Sequence, residues 1–248
     1  MTRRISVITP VHGPSAHYLP EAYRSLIEQE MPAEWDWEWL VQEDGHEGIL
    51  ADVLPDDPRI KPDSGRQGGA GMARTMALSR ATGELVKVLD SDDLLTEGAL
   101  ARDIEALSSP HIDWSTSRVL DLLPDGSTVG FDQDPDEGVL SRGSVLEHWR
   151  SHNHRAQVHP ATLCVRTTVL VALGGWMALP ASEDTGLLLA LDAVTNGYFT
   201  RQCGLFYRKW EGQTTNHEAH SQGSEHEARM NIIEARAQAL TDLFPALR

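Results

Sequence analysis

"LVKVLDSDDLLTEG", residues 85–98, decides how the rest of the chain is read. The apolar run Leu85-Val86-Lys87-Val88-Leu89 reads as a strand and ends abruptly in Asp90-Ser91-Asp92-Asp93. Asp90 and Asp92 are two positions apart, so in extended backbone they share a face. Two unit charges about 4 Å apart repel by ~4 kcal/mol at an effective dielectric near 20. A fold tolerates this when the groups are solvated, protonated or neutralised by a cation. A solvated acidic loop, with Asp93 helping to start the next helix, is one account. The EF-hand calcium pattern is excluded, because Leu95 stands at the sixth position where that loop needs Gly. Catalytic use calls for Mg²⁺ or Mn²⁺, hard ions that take one or two carboxylates plus substrate phosphates. Such an ion reverses the local sign and lets an acidic site hold a phosphate.

Outward from this strand, the first half alternates between strand and helix patterns. Residues 4–9 read as a buried strand, 19–30 as a helix with Pro20 near its start, and 36–45 as a strand running into Asp44-Gly45. Residues 59–62 form a short third strand at best. Residues 69–83 read as a helix with Met72, Met76 and Ala77 on one face and Gly83 as its stop. The alternation predicts an α/β fold, a Rossmann-like, mostly parallel sheet flanked by helices. Ligands in such sheets bind beyond the carboxyl ends of the strands. That rule selects Thr9-Pro10-Val11, Glu43-Asp44-Gly45 and the acidic run at 90–93.

After residue 96 the pattern changes. Thr96 is placed to cap a helix through residue 109. Residues 113–131 read as a hairpin about Pro124-Asp125-Gly126, and 132–143 as an exposed acidic loop. Ser141 is placed to cap a short helix through Trp149. Residues 159–176 read as a strand, a short helix and a Gly-Gly turn. Residues 182–197 form a helix with Asn196-Gly197 as its C-cap. In the C-terminal helix, Met230, Ile233, Ala237, Leu240 and Phe244 make an apolar stripe. It packs on its own chain or forms a homodimer contact. The expected organisation is a domain over 1–220, with a nucleotide-binding half (1–108) and an acceptor-binding half (109–220), and a helical tail over 221–248.

The chain has 248 residues and a formal net charge of −16, which argues against wrapping nucleic acid or lying on anionic membranes. It has no apolar run of about 18 residues, so no integral membrane segment is expected. The N-terminus reads as a first strand rather than a signal peptide, and the expected location is cytoplasmic. Cys164 and Cys203 lack CxxC spacing and are expected to be free, buried thiols.

Taken in order, these segments resemble glycosyltransferase family 2, a group of GT-A-fold enzymes that use nucleotide-sugars. "ISVITPVHG" is similar to the family's opening strand, with His12 and Gly13 in place of the usual pair. "LVQEDGH" is similar to its Asp-Asp-Gly-Ser strand end, with Glu43 for the first Asp. "QGGAGMARTMALSRATGELVKVLDSDD" resembles its longest signature, ending in the DxD motif, with Gln67 and Thr75 where Asn is usual. "LGGWMALPASEDTGLLLAL" resembles the Gly-Gly turn and Glu-Asp helix, and "YRKWEGQTT" a segment that closes the site. The likeness covers roughly 4–100 well and 159–216 less closely.

The resemblance implies a metal-dependent, inverting, hexosyltransferase-type enzyme with Mn²⁺ or Mg²⁺ as cofactor. Its partners would be a UDP-, dTDP- or GDP-linked sugar donor and a small-molecule or glycan acceptor. The donor's base would lie near Thr9, Pro10, Val11 and Asp44, although Asp44 also suits a plain Asp-Gly turn. Arg74 would hold the nucleotide or the DxD loop. Asp90 and Ser91 would border the donor, and Asp92 and Asp93 would be nearest the metal. Which of Asp90, Asp92 and Asp93 is the direct ligand stays open. In Glu183-Asp184, Asp184 is favoured as the general base; the same residues suit the charged first turn of a helix. His159 is a candidate for acceptor contact. Trp176 and Trp210 suit sugar platforms or core positions, and His217 is a candidate to approach the metal. His148, His152 and His154 lack a zinc pattern, and His152 and His154 suit a surface loop. A sugar nucleotidyltransferase would need a Gly-rich basic loop after the first strand, which "TPVHGPSAHYL" lacks. A non-catalytic sugar-nucleotide binding module would not need all the carboxylates at 90, 92, 93, 183 and 184.

Overall fold

The first strand, β1 (Arg3–Val11), turns successive side chains to opposite faces. Ile5, Val7 and Val11 enter one apolar cluster and Ile8 enters the other. The computed structural model describes residues 2–213 and 222–244 of the chain. After β1 come a short 3₁₀ segment (Gly13–Tyr18), α1 (Leu19–Ile27), β2 (Trp35–Asp44), α2 (Leu50–Val53), β3 (Ile60–Gly65), α3 (Ala70–Leu78) and β4 (Leu85–Val88). β3, β2, β1 and β4 lie side by side and parallel, as the alternation predicts.

The second half supplies β5 (Leu94–Leu95), α4 (Ala99–Ala106), β6 (Trp114–Leu122), β7 (Thr128–Val129), β8 (Gly138–Leu140) and α5 (Ser144–Ser151). It continues with β9 (Cys164–Arg166), α6 (Thr167–Ala172), α7 (Glu183–Val194), β10 (Gly197–Arg208) and α8 (Gly223–Leu243). The sheet order is β3-β2-β1-β4-β9-β6-β10-β5, with β7 on β6 and β8 on β10. β9 is antiparallel to both β4 and β6, so β6 points the same way as β4. β10 is parallel to β6. The carboxyl ends of β1, β2, β4, β6 and β10 therefore meet along one edge, and the two expected halves share one continuous sheet. Helices α3, α5, α7 and α8 cover one face; α1 and α4 cover the other.

Several local expectations are corrected. Thr96 does not cap α4: its hydroxyl donates to the Cys203 carbonyl, and the N-cap is Gly98 at φ 69°. Likewise Gly143, at φ 85°, caps α5 in place of Ser141. Asn196-Gly197 is not a left-handed C-cap. Gly197 starts β10, where a Cβ would come within 2.4 Å of the Trp114 ring. On α3 the buried face is Gly71, Ala73, Arg74, Ala77 and Leu78, while Met76 is half exposed. The acidic segment after residue 131 contains β8, which pairs with β10. Both cysteines are free, but only Cys164 is fully buried. Met230, Ile233 and Ala237 of α8 are buried in the chain's own core against α7, so that stripe is engaged internally. Among the described residues, no helix is long and apolar enough to cross a membrane.

Lys87 and Glu38, two of the buried charges within the strands, are each held by local partners. Lys87, fully buried in β4, donates to Asp103 Oδ2 on α4 and to the Thr162 carbonyl, both at 2.7 Å. Glu38 in β2 accepts from the Ser6 hydroxyl and the Thr82 amide, each at 2.7 Å, and from Lys61. Buried charges persist only with such partners.

Candidate active site

A different element holds each residue of the acidic run. Asp90 Oδ1 accepts from Arg74 Nη2 at 2.6 Å. The Ser91 hydroxyl, buried, donates to Ser15 Oγ at 2.7 Å. The Asp92 carbonyl accepts from Arg208 Nε at 2.8 Å, and its Oδ2 accepts from Trp210 Nε1 at 2.6 Å. Asp93 Oδ1 accepts from the Arg208 amide at 2.9 Å. The pairing of Leu94-Leu95 with Leu205-Phe206 draws β10 alongside this turn and delivers Arg208 and Trp210 to it.

Asp90 and Asp92 are half-buried, whereas Asp93 is fully buried. Burial pushes the Asp92 carboxyl above its ordinary range; repulsion from Asp90 adds to this, and the Trp210 bond opposes it. Burial, then Asp92 and Asp90, push Asp93 well above that range. Asp93 Oδ2 has no hydrogen-bond partner among the described residues.

Arg74 joins this turn to the second acidic pair. It lies buried on α3, and its Nη1 donates to Glu183 Oε1 at 2.6 Å. Burial alone would lower the affinity of this guanidinium for its proton, but Asp90, Glu183 and Asp184 together outweigh that and raise it. One turn before Arg74, a Cβ on Gly71 would stand 2.7 Å from Glu183 Cγ, so a glycine lets α3 and the start of α7 meet. α7 follows Ser182, a non-glycine residue at φ 62°. Such left-handed backbone costs of order 1 kcal/mol and persists when its surroundings enforce it. Asp184 Oδ1 accepts from the Thr185 amide at 2.6 Å. Burial raises both Glu183 and Asp184 from the ordinary carboxylate range, against the pull of Arg74.

The remaining candidates divide by location. Thr9 is fully buried and its hydroxyl accepts from Trp39 Nε1 at 2.7 Å; Pro10 and Val11 are also buried. The Asp44 carboxylate accepts from the Gly68 and Gly69 amides at 2.7 and 2.9 Å, pinning the loop that leads into α3. His159 is half-buried, with its ring 4.9 Å from that of Tyr207. Its Nδ1 accepts from the Ala161 amide at 3.3 Å. Burial and Lys209 push its pKa down to about 4, so the ring is neutral. Trp176 is packed in the core, 5% exposed. His152 and His154 are exposed, and His217 lies outside the described residues. Sequence reasoning did not assign Ser15 or Arg208 to the site. "YRKW" was the one signal for Arg208, within a segment read only as closing the site.

A family model described as Glycosyl transferase family 2 matches residues 6–120. Through this segment, just under half of its length, the chain is similar to glycosyl transferase family 2. The matched segment carries β1 through β6, including Asp44, Arg74 and the DSDD turn. TuaG of Bacillus subtilis (strain 168), named for teichuronic acid biosynthesis, is 30% identical over 130 residues, 50% of either chain. The O-antigen biosynthesis protein RfbC of Myxococcus xanthus is 25% identical over 202 residues, 77% of this chain and 15% of RfbC. The chain thus matches about half the length of one curated relative and far less of the other. Among solved structures, S. aureus TarS 1-349 in complex with UDP-GlcNAc superimposes with a TM-score of 0.73 at 19% identity, over 97% of this chain and 71% of that one. The same TarS fragment with UDP gives 0.65 at 18% identity, over 97% and 70%. The shared architecture is the GT-A fold.

The acidic turn at 90–93 suits a divalent cation. Its donors are carboxylate oxygens, which fit Mg²⁺ or Mn²⁺. Asp93 Oδ2 is a buried oxygen without a partner among the described residues; burial first, and then repulsion from neighbouring aspartates, raises Asp92 and Asp93, and a cation would relieve that repulsion. Among the described residues, no three His, Cys, Asp or Glu side chains form a complete cage. A hard ion completed by substrate phosphates needs only one or two protein carboxylates.

Proposed function

We propose that this chain is an inverting glycosyltransferase that moves a hexose from a nucleoside-diphosphate sugar to an acceptor hydroxyl, with a divalent cation at Asp92. One observation carries this reading: a single buried guanidinium, Arg74, ties the acidic turn after β4 to the acid pair that opens α7. A donor-holding group and a proton-accepting group are thereby fixed in one frame. Such positioning can lower a two-substrate barrier by several kcal/mol.

Asp92, half-buried with Oδ2 on Trp210, would hold the cation through Oδ1. Asp93, anchored on the Arg208 amide, would support the turn, and Asp90 would border the ribose. A cation bound there supplies positive charge for the departing diphosphate. Asp184 takes the acceptor's hydroxyl proton as that oxygen bonds to the anomeric carbon. The bond from that carbon to the diphosphate oxygen breaks, and its electron pair leaves with the nucleoside diphosphate. Burial raises the proton affinity of Asp184, which suits a general base. Asp44 holds Gly68 and Gly69 and so shapes the nucleotide side of the edge. His159 stays neutral and can meet an acceptor hydroxyl.

The test is a thermal-shift screen of UDP, GDP and dTDP, each with and without Mn²⁺. TarS was solved with UDP and with UDP-GlcNAc, so UDP is the first nucleotide to try. The expected result is stabilisation by one nucleotide that disappears without metal. Stabilisation by none of them would overturn the reading.

A further inference from the structure

Asp92 does not have both carboxylate oxygens at its disposal. Trp210 Nε1–H donates to Oδ2 at 2.6 Å. An indole N–H is a donor only, so Trp210 can neither ligate a cation nor free that oxygen by acting as an acceptor. The ring is firmly seated. Arg208, two residues earlier, is fixed by Asp93 Oδ1, the Asp92 carbonyl and Glu21. Tyr18 and His17 meet the indole edge-on, with centroids at 5.4 and 6.0 Å. At Gly212 a Cβ would stand only 2.1 Å from the indole, so the ring lies over a position with no side chain.

The neighbouring carboxylates are divided in the same way, each with one oxygen already engaged, so neither offers a two-oxygen contact. Asp90 is bound to Arg74, and Asp93 has one oxygen on the Arg208 amide. Calcium takes six to eight oxygens and can draw both oxygens of one carboxylate into its larger shell. Magnesium takes six at shorter distances and accepts one or two carboxylates completed by phosphates and water. Manganese likewise suits a six-oxygen set.

We propose that Trp210 selects the cation: by occupying Asp92 Oδ2, it restricts Asp92 to one-oxygen coordination and so favours Mg²⁺ or Mn²⁺ over Ca²⁺. This rests on the donor-site reading above. Trp210 acts through Asp92 and is a positioning residue. Outer-shell partners of this kind change metal affinity by roughly 10–100-fold.

Isothermal titration calorimetry of UDP into the full chain, with Mg²⁺, Mn²⁺ or Ca²⁺, tests this without measuring turnover. Trp210→Phe keeps a ring over Gly212 and removes the N–H. Gly212→Ala keeps the indole and pushes it aside. For the unsubstituted protein, Mn²⁺ and Mg²⁺ are expected to support UDP binding better than Ca²⁺. Both variants should shift that preference toward Ca²⁺ by about tenfold, with far-UV circular dichroism unchanged. An unchanged preference in a folded variant overturns this inference alone. An unsubstituted protein that binds UDP equally well with no ion overturns the donor-site reading as well.

Discussion

Arg74 and Glu183 are 109 positions apart in the chain, yet the guanidinium and carboxylate meet at 2.6 Å in a buried site. The other terminal nitrogen of the same guanidinium holds Asp90, also at 2.6 Å. A planar fork with two separate donors can bridge two carboxylates, whereas an ammonium is a point charge.

Replacing Arg74 therefore separates geometry from charge. Arg74→Lys keeps the charge but cannot reproduce the bridge, and kcat/KM should fall about a hundredfold, ~2.7 kcal/mol. Arg74→Met leaves both acids without this partner and should lower unfolding stability by about 3 kcal/mol. Steady-state kinetics and urea denaturation check the two outcomes.

Asp184→Asn removes the proposed base while keeping the side chain's size. Turnover should fall roughly 10²–10⁴-fold, the usual range for a lost general base. UDP affinity in the presence of Mn²⁺ should stay nearly constant. Calorimetry beside initial-rate kinetics separates this outcome from a loss of donor binding.

Gly71→Ala pushes a methyl group to 2.7 Å from Glu183 Cγ and 3.0 Å from the Met177 carbonyl. Glu183 must move, and the Arg74 bridge moves with it. Overpacking of this kind costs about 1–3 kcal/mol. A lower melting temperature together with a lower kcat is the expected pair of effects.

Glu38 predicts an acid-sensitive step. Burial tends to raise its pKa, but bonds from Lys61, Ser6 and Thr82 outweigh this and lower it from 4.5 to about 2. The unfolded state therefore binds a proton that the folded state refuses between those values. This contribution is complete above 4.5 and is lost as pH falls toward 2, on the order of 3 kcal/mol. Glu38→Gln should be less stable at neutral pH and should flatten the pH–stability curve in that window.

His159 gives a second window. Its pKa falls from 6.5 to about 4, through burial first and then Lys209. Between these values the unfolded imidazole is charged and the folded one is neutral, so stability rises with pH from 4 to 6.5 and falls on acidification. Nδ1 is the acceptor for the Ala161 amide, and protonation would remove that bond. NMR titration should show this imidazole unchanged between about pH 5 and 8, where an ordinary histidine titrates.

The first four parallel strands were legible because their apolar runs and turn residues follow local rules. The acid-rich end of β4 stood out for the same reason. Local rules misplaced Thr96 and Gly197, where tertiary contacts prevail. Thr96 turns to the Cys203 carbonyl, and Gly197 makes room for Trp114. The apolar spacing of α8 was visible, but its use became clear only when Met230, Ile233 and Ala237 were found packed against α7.

By itself the sequence determined the layered α/β plan, the strand edge that carries the candidate site, and the family-like order of its acidic motifs. Each depends on residues close together in the chain. Only the tertiary structure decided which partner each carboxylate meets. Arg74 joins Asp90 to Glu183, the Arg208 amide anchors Asp93, and Trp210 claims one oxygen of Asp92. Those partners come from α3, α7 and the end of β10, and no periodicity encodes the reversal at β9 that brings β10 to the acidic turn. Which donor reaches which oxygen is set by chain closure across more than 100 residues.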